Sequence, residues 1–304
     1  MFRFQFLFLI SFCLIFADTF PTTLGECVLD IYGDNIYNIP ELIMLIQKET
    51  DNITQEFGQV SKRPFYVYIT SNEKDFTEKA KGHSPEWSIA VAKRNPDRII
   101  IKANRIFNTS ITRMEEIIIH ELNHIYMFRF PNYGVLPSWF KEGMAMRNSN
   151  EFALSHKVEI SKSIWERRTI PLVQLKNISS YTQDKVELAY GESAAAVEAL
   201  EFFYGESILK NILNNINSEG NFEDVFYKAS LEEFVDFQIK YDAYLKSHFK
   251  WIFLLKPPKY IYAILSLILF LGFIFHRYRS KKILEQWEKE EKEQGIECNE
   301  GFHS

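Results

Sequence analysis

The pentapeptide His120-Glu121-Leu122-Asn123-His124 constrains this chain more than any other part of its sequence. Residues four apart lie on the same face of an α-helix, so both imidazoles can reach one metal ion. Zinc accepts imidazole and carboxylate ligands and keeps one position open for water at catalytic sites. An H-E-x-x-H pattern on a helix is typical of zinc-dependent peptidases, in which the glutamate moves protons. The motif therefore predicts a zinc site with Glu121 beside it.

The flanks of this motif predict a helix. Apolar residues recur at helical spacing between Met114 and Tyr126, which favours one buried face. Residues 112–115 have the pattern of a capping box and predict where the helix begins. Pro131 predicts that the helix ends near Phe130, because the residue before a proline resists the helical conformation.

A third metal ligand is suggested by the downstream segment LPSWFKEGMA, residues 136–145. Together with HELNH, this segment resembles the gluzincin metallopeptidases, and most closely the peptidase-MA-like group. In that group a P-x-W-[LF]-x-E-G segment supplies the third zinc ligand from a second helix. The resemblance therefore implies that His120, His124 and Glu142 bind Zn²⁺.

The neighbours of Glu142 carry further predictions. Gly143 would let its helix pack closely against the motif helix. Trp139 and Phe140 are better explained as packing anchors than as substrate contacts. Met146 stands where thermolysin-type enzymes carry an aspartate that orients a zinc-bound imidazole. A different acceptor must orient that imidazole here, and the sequence does not identify it.

The predicted fold class is α+β. The resemblance, over about residues 60–248, implies a zincin-like domain with a small mixed sheet, the H-E-x-x-H helix and a helical C-terminal half. A helix over residues 39–57 precedes strands at residues 65–69, 87–92 and 98–102. Further helices are predicted near residues 185–204, 207–214 and 231–249. Residues 148–182 are poorly patterned and are predicted to hold a mobile loop over the site.

The chemistry expected at such a site follows from charge. Zinc lowers the pKa of its bound water, and Glu121 accepts a proton as that water attacks the scissile carbonyl. The same residue then protonates the departing amine. Tyr190 is the first candidate for a donor to the oxyanion, because the resemblance places a tyrosine at the start of its helix. His156 is the second candidate, and a purely structural role as a core aromatic is the alternative for Tyr190.

The segment at residues 98–102 allows two interpretations. As an exposed edge strand beside the cleft, it would pair with an extended peptide substrate. As a buried strand, it would use its three consecutive isoleucines on both faces of the sheet. The preceding residues 87–97 are predicted to form the rest of a hairpin with this strand.

Both ends of the chain carry patterns typical of membrane targeting. An apolar run after Arg3 predicts a signal peptide, with an uncleaved anchor as the alternative. An uncharged run near the C-terminus, followed by a basic cluster, predicts a transmembrane helix, with a buried core helix as the alternative. The predicted organisation is a signal peptide (1–17), an exported peptidase domain (18–250), a juxtamembrane linker (251–259), a transmembrane helix (260–276) and a charged cytoplasmic tail (277–304).

Composition narrows the possible partners. A net charge of −5 argues against binding to nucleic acid. Cys27 is the sole cysteine of the predicted exported domain, so that domain depends on its core and its metal rather than on a disulfide.

These patterns together predict a membrane-anchored zinc metallopeptidase that acts outside the cytoplasm, with a peptide or protein as substrate and the lipid bilayer as a partner. The alternative is a catalytically silent zincin-fold protein that binds a partner at the membrane surface. A non-enzymatic membrane adaptor that acts through its tail is a further alternative.

Overall fold

The computed structural model describes residues 16–32, 38–81, 88–103, 111–178, 181–216, 220–255 and 259–300. The chain forms two compact units, Met1–Ile252 and Phe253–Ser304. The first unit combines a small sheet with a helical half, which confirms the predicted α+β class.

A five-stranded mixed sheet forms the N-terminal part of the first unit. Its strands are β1 (Phe16–Thr22), β2 (Gly25–Ile31), β3 (Phe65–Thr70), β4 (Ala90–Lys93) and β5 (Arg98–Lys102). They are arranged in the order β1-β2-β3-β5-β4. The three central strands run parallel, and β1 and β4 pair antiparallel with their neighbours at the two edges. The hairpin of β1 and β2 was absent from the sequence prediction.

Of the two interpretations of residues 98–102, the buried strand is correct. All five residues of β5 are buried, and the strand lies between β3 and β4. The edge strand is therefore β4, the other arm of the predicted hairpin. This arrangement follows from the isoleucines Ile99, Ile100 and Ile101, because side chains that alternate in direction need apolar cover on both faces of the sheet.

The predicted signal peptide lies mostly outside the described residues. Its last two residues, Phe16 and Ala17, belong to β1 and pair with Ile31 and Asp30 of β2. The described residues therefore begin within β1.

Helix α1 (Ile39–Phe57) matches its predicted bounds, and the short helix α2 (Glu73–Ala80) follows β3. The motif helix α3 (Ile111–Met127) begins one residue before the predicted capping box and ends before Phe130. The apolar stripe that predicted α3 is real, since Ile118, Leu122 and Ile125 are fully buried.

The helical half consists of α4 (Ser138–Asn148), α5 (Leu154–Glu166), α6 (Gln183–Tyr204), α7 (Ile208–Asn215), α8 (Phe222–Ser230) and α9 (Phe234–His248). Helix α5 corrects the prediction of a mobile loop over residues 148–182. Its buried face carries Ser161 and Ser163 beside Val158 and Ile160. Because small polar residues take part of that face, its apolar residues do not recur at the spacing that predicts a helix from the sequence.

Trp139 anchors α4 in the helical half. Its indole is buried and lies against the rings of Phe222, Phe234 and Phe237, with centroid distances of 5.6, 6.2 and 6.3 Å. Phe140 is also fully buried and lies 6.1 Å from Phe222. Both residues are packing anchors, as predicted. Aromatic packing of this kind fixes the orientation of a helix as well as burying apolar area.

Gly143 permits a close approach, although not the predicted one. A Cβ at this position would lie 2.2 Å from the carbonyl oxygen of Ser193, which belongs to α6. The glycine therefore brings α4 against α6 rather than against the motif helix. The face of α4 that carries Glu142 remains turned towards α3, where the two helices place the candidate ligands.

The second unit consists mainly of the long helix α10 (Lys259–Glu300), which includes the predicted transmembrane segment and most of the predicted tail. Among the residues that the structure describes, no helix combines the length and the apolar character that a bilayer crossing requires. The predicted transmembrane helix at residues 260–276 and its lipid contact are thus unsupported. The uncharged run at residues 260–275 is shorter than the roughly 20 residues of an untilted span.

Candidate metal centre

Two helices bring three potential ligands together. His120 and His124 lie one turn apart on α3, and Glu142 lies on α4. The Oε2 atom of Glu142 is 3.4 Å from the Nε2 atom of each imidazole. One ligand atom from each residue falls within 4.8 Å of the other two. The three residues that the sequence singled out as a ligand set therefore share one small volume.

The spacing of these atoms fits a tetrahedral metal ion. Zinc binds nitrogen and oxygen ligands at roughly 2.0–2.2 Å, which places neighbouring tetrahedral ligands about 3.4 Å apart. Both measured separations between Glu142 and the imidazoles are 3.4 Å. Two imidazoles and one carboxylate also match the donor set of catalytic zinc sites, which keep a fourth position open. The residues present therefore fit zinc.

Packing on the opposite faces sets this geometry. Ile118, Leu122 and Ile125 of α3 are fully buried on one face of the helix. His120 and His124 lie on a neighbouring face and stay partly exposed. Helix α4 is fixed by Trp139 on one side and by its contact with α6 at Gly143 on another. The ligand carboxylate is thus attached to a rigid element rather than to a loop.

Glu151 is the acceptor that orients His120. One of its carboxylate oxygens lies 2.6 Å from the Nδ1 atom of His120, while the Nε2 atom of the same ring faces Glu142. The hydroxyl of Ser149 donates to this same oxygen at 2.9 Å, and a guanidinium nitrogen of Arg113 is 2.6 Å from the other oxygen of Glu151. Such a carboxylate fixes the tautomer and the direction of a ligand imidazole.

Sequence reasoning missed Glu151. The thermolysin-type position, Met146, is buried and apolar. Glu151 lies beyond the end of α4, in the turn before α5, so no helical spacing connects it to Glu142. The only signal was an acidic residue soon after the end of α4, and spacing alone does not select it from the many other glutamates.

The candidate ligands shift one another's pKa values. Burial raises the pKa of Glu142, but His124 and His120 outweigh that effect, and the net pKa lies well below the usual range. Burial lowers the pKa of His120, but hydrogen bonds to Glu142 and Glu151 outweigh it, and the net pKa is raised. The lowered pKa keeps Glu142 ionised, which is the form that a carboxylate needs to bind a metal ion.

Glu121 faces a cavity of about 350 Å³ beside the three ligands. The side chain is buried, and this burial raises the pKa of its carboxyl group. A carboxyl with a raised pKa is suited to exchanging protons near neutral pH. The apolar part of the cavity wall comes from Ile89, Ala90, Ile117, Met146 and Val186.

Both candidate oxyanion donors line the same cavity. Tyr190 contributes from α6, and burial raises the pKa of its phenol, which keeps the hydroxyl protonated. His156 contributes from α5, and burial lowers the pKa of its imidazole. Among the described residues, the buried Nδ1 atom of His156 has no hydrogen-bond partner. The structure thus places Glu121, Tyr190 and His156 around one space without distinguishing between the two donors.

Comparisons with known proteins locate this geometry within a larger group. Residues 47–245 match the family model of the Peptidase MA superfamily. Among curated proteins, no sequence matches this chain.

Several solved structures resemble part of the chain. A two-domain M1 zinc metallopeptidase mutant bound to L-arginine shares 12% identity at a TM-score of 0.41. An M1 zinc metallopeptidase from Deinococcus radiodurans shares 14% identity at a TM-score of 0.43. Each alignment covers 76% of this chain and 51% of the other, so the chain spans about half the length of these structures.

The family match includes every residue of the candidate centre, from Arg113 on α3 through Glu142 to Tyr190 on α6. It also extends over well over half of the 304 residues. The H-E-x-x-H helix, the glutamate-bearing helix and the small mixed sheet therefore belong to a chain that is a member of the Peptidase MA superfamily.

Proposed function

We propose that this chain is a zinc metallopeptidase of the gluzincin type, which hydrolyses peptide bonds in peptides or proteins. The observation that carries the proposal is the Glu142 carboxylate, 3.4 Å from both imidazoles of the H-E-x-x-H motif. Membership of the Peptidase MA superfamily supports the same class of reaction.

The protein residues have separate roles in this proposal. His120, His124 and Glu142 would hold zinc, which supplies Lewis acidity that polarises a carbonyl and acidifies water. Glu121 accepts the proton of the attacking water and passes a proton to the departing amine. Tyr190 donates its hydroxyl hydrogen to the oxygen of the scissile carbonyl as charge develops there, and His156 is the alternative donor.

The edge strand β4 offers a way to hold an extended substrate. The N–H of Lys102 donates to the carbonyl of Ile89. Hydrogen-bonded positions recur at every second residue of an antiparallel pair, so the N–H and the carbonyl of Val91 also point towards β5. Ala90 and Ala92 alternate with Val91, so their backbone groups point away from β5. The carbonyl of Ala90 already accepts from Ser88. Ala92 is therefore the position at which a substrate backbone would add to the sheet.

The location of the activity is a separate proposal. The apolar run after Arg3 supports export, and the domain would then act outside the cytoplasm, with the uncharged run at residues 260–275 holding it at the cell membrane. Protease added to intact cells should degrade the domain. Protection of the domain in intact cells, with digestion only after lysis, would contradict export.

Metal content and hydrolysis in matched variants test the catalytic proposal. The purified full chain should contain about one zinc per molecule and cleave members of a random peptide library. Glu121→Gln should keep the metal and lose hydrolysis, whereas His120→Ala should lose both. Full hydrolysis by zinc-loaded Glu121→Gln would refute the role of this residue. Zinc binding by the wild type without any cleavage would favour the catalytically silent alternative.

A further inference from the structure

A second cavity lies in the first unit, away from the candidate metal centre. It has a volume of about 530 Å³ and lies where the C-terminal parts of α5 and α9 meet. None of its lining residues lines the cavity beside Glu121. Its polar and aromatic wall consists of Trp165, Arg167, Thr169, Asp242, Lys246 and Lys250.

The charges around this cavity are unbalanced. Arg167, Lys246 and Lys250 supply three cations, against the single carboxylate of Asp242. Within the part of the chain that the structure describes, none of these three cations forms an ion pair. The adjacent Arg168, in contrast, pairs with both Glu166 and Glu159. The chain as a whole carries a net charge of −5, so this cavity is a local excess of positive charge. Its cations can donate hydrogen bonds to an anion.

Lys250 is positioned by aromatic rings rather than by a carboxylate. Its ammonium group lies 5.0 Å from the ring centre of Trp165 and 5.4 Å from that of Trp251. The indole N–H of Trp165 donates to the carbonyl of Lys250 at 2.7 Å, which fixes the backbone as well. Contact with aromatic faces stabilises the cation but leaves its N–H groups able to bind an acceptor.

The helix ends explain why three cations are tolerated here. The carbonyl groups at the C-termini of α5 and α9 carry partial negative charge, which favours nearby Arg and Lys. That interaction does not consume the hydrogen-bond donors of the side chains. A guanidinium, two ammonium groups and the hydroxyl of Thr169 therefore surround one space with donors that suit a phosphoryl group.

The apolar wall indicates that the ligand has an apolar part. Ile164 and Leu245 complete the cavity, and the indoles of Trp165 and Trp251 are 48% and 58% exposed at its side. Exposed tryptophans beside cations are typical of surfaces that meet a molecule with one apolar and one polar end. A bare inorganic anion would use the cations alone.

We propose that this cavity binds the phosphoryl group of an amphipathic phosphate ester, with Arg167, Lys246 and Lys250 as the anion-binding residues and Trp165 as the apolar contact. A phospholipid headgroup and a soluble phosphorylated compound share this chemistry. The site is independent of the candidate metal centre, so the loss of one function leaves the other measurable.

Calorimetric titration of the full chain in a non-ionic detergent separates these sources. The probes are dihexanoyl phosphatidic acid, glycerol 3-phosphate and dihexanoyl phosphatidylcholine. Binding of phosphatidic acid alone supports the site with a lipid as its source, whereas equal binding of glycerol 3-phosphate, which has no apolar part, would point to a soluble source and reject Trp165 as the apolar contact. Binding of the zwitterionic phosphatidylcholine as strong as that of phosphatidic acid would overturn the proposal, as would no binding of either anion.

Charge-reversal variants test the residues. Arg167→Glu and Lys246→Glu should each weaken binding of the anionic probe by roughly tenfold or more, because each removes a charge-assisted hydrogen bond. Lys74→Glu, an equal reversal at an exposed position on α2, is the matched control. Circular dichroism confirms that each variant is folded, and peptide cleavage should be unchanged in all three. Equal weakening by Lys74→Glu would show non-specific attraction and reject the site.

Discussion

Glu151 sets the direction of the His120 ring, and with it the direction of the nitrogen that would bind a metal ion. A ligand imidazole that is free to rotate offers a poorly directed lone pair, and here one nitrogen is held at 2.6 Å by Glu151 while the other faces Glu142. The sequence identified His120 and His124 as candidate ligands by their spacing on a helix, and Glu142 through the resemblance of its segment to a family motif. It did not identify Glu151, because the path of the turn after α4 decides where that carboxylate lies.

Removing this support should weaken the site without removing a ligand. Glu151→Ala should lower the affinity for zinc by roughly tenfold to a hundredfold, as losses of orienting partners do at other zinc sites. Competition with a chromophoric chelator measures the affinity. Glu187→Gln is the control, since Glu187 lines the same cavity, whereas the two ring nitrogens of His120 face Glu151 and Glu142. Unchanged affinity in Glu151→Ala would show that α3 alone orients the imidazole.

At the scale of elements, long and strongly patterned helices such as α1 and α3 were predictable, whereas two features were not. The first two residues of β1 end an apolar run that has the composition of a leader and were assigned to it, and no strand was predicted in the residues that follow. Helix α5 buries Ser161, whose hydroxyl donates to the carbonyl of Lys250. A polar residue satisfied by a distant partner looks like a surface residue in the sequence.

The contact between α4 and α6 should depend on Gly143. In Gly143→Ala, the new methyl group meets backbone at 2.2 Å, so the helices must separate, and we expect a loss of roughly 2–4 kcal/mol in the free energy of unfolding. Urea denaturation measures the change. Gly134→Ala is the control, because a Cβ there meets nothing within 4 Å. Similar losses in both variants would contradict a specific steric role.

Strand addition at β4 gives a second prediction at this scale. Ala92→Pro removes an N–H that points away from β5, so the ladder between β4 and β5 stays intact. Cleavage of an extended peptide should fall about tenfold in kcat/KM, mainly through KM, for the loss of one hydrogen bond. Ala92→Val, which keeps the N–H, should retain activity. If both variants lost activity equally, the side chain rather than the backbone would matter.

At the scale of the whole molecule, Glu192 is a buried carboxyl group in the core of the first unit. Its carboxylate accepts from the N–H of Ile170 and its backbone carbonyl accepts from Tyr241, so it connects α6, the segment after α5 and α9. Burial raises the pKa of Glu192 from 4.5 to about 8; Asp242 acts in the same direction and Arg168 opposes it. The protonated form is therefore the one that the folded state prefers at neutral pH.

This preference predicts how stability varies with pH. Since the pKa is higher in the folded state, the stabilisation is fully present below pH 4.5 and is lost as the pH rises through about 8. Glu192→Gln should remove that loss. At pH 9 its free energy of unfolding should exceed that of the wild type by something of the order of a few kcal/mol, so the variant should unfold at a higher temperature.

Thermal denaturation across this pH range measures the effect. Glu206→Gln, at an exposed position, is the matched control and should follow the wild type. A wild-type protein whose pH dependence is the same as that of Glu192→Gln would contradict the assignment.

The candidate centre is encoded in two short uninterrupted stretches of chain. Arg113, His120, Glu121 and His124 lie within twelve consecutive residues of α3, and Glu142 and Glu151 within ten residues at and after α4. The candidate ligands, the candidate base and the residues that orient His120 thus lie in two short segments of the chain. A designer grafting this centre onto another scaffold would need to reproduce only one helix–helix crossing and one turn.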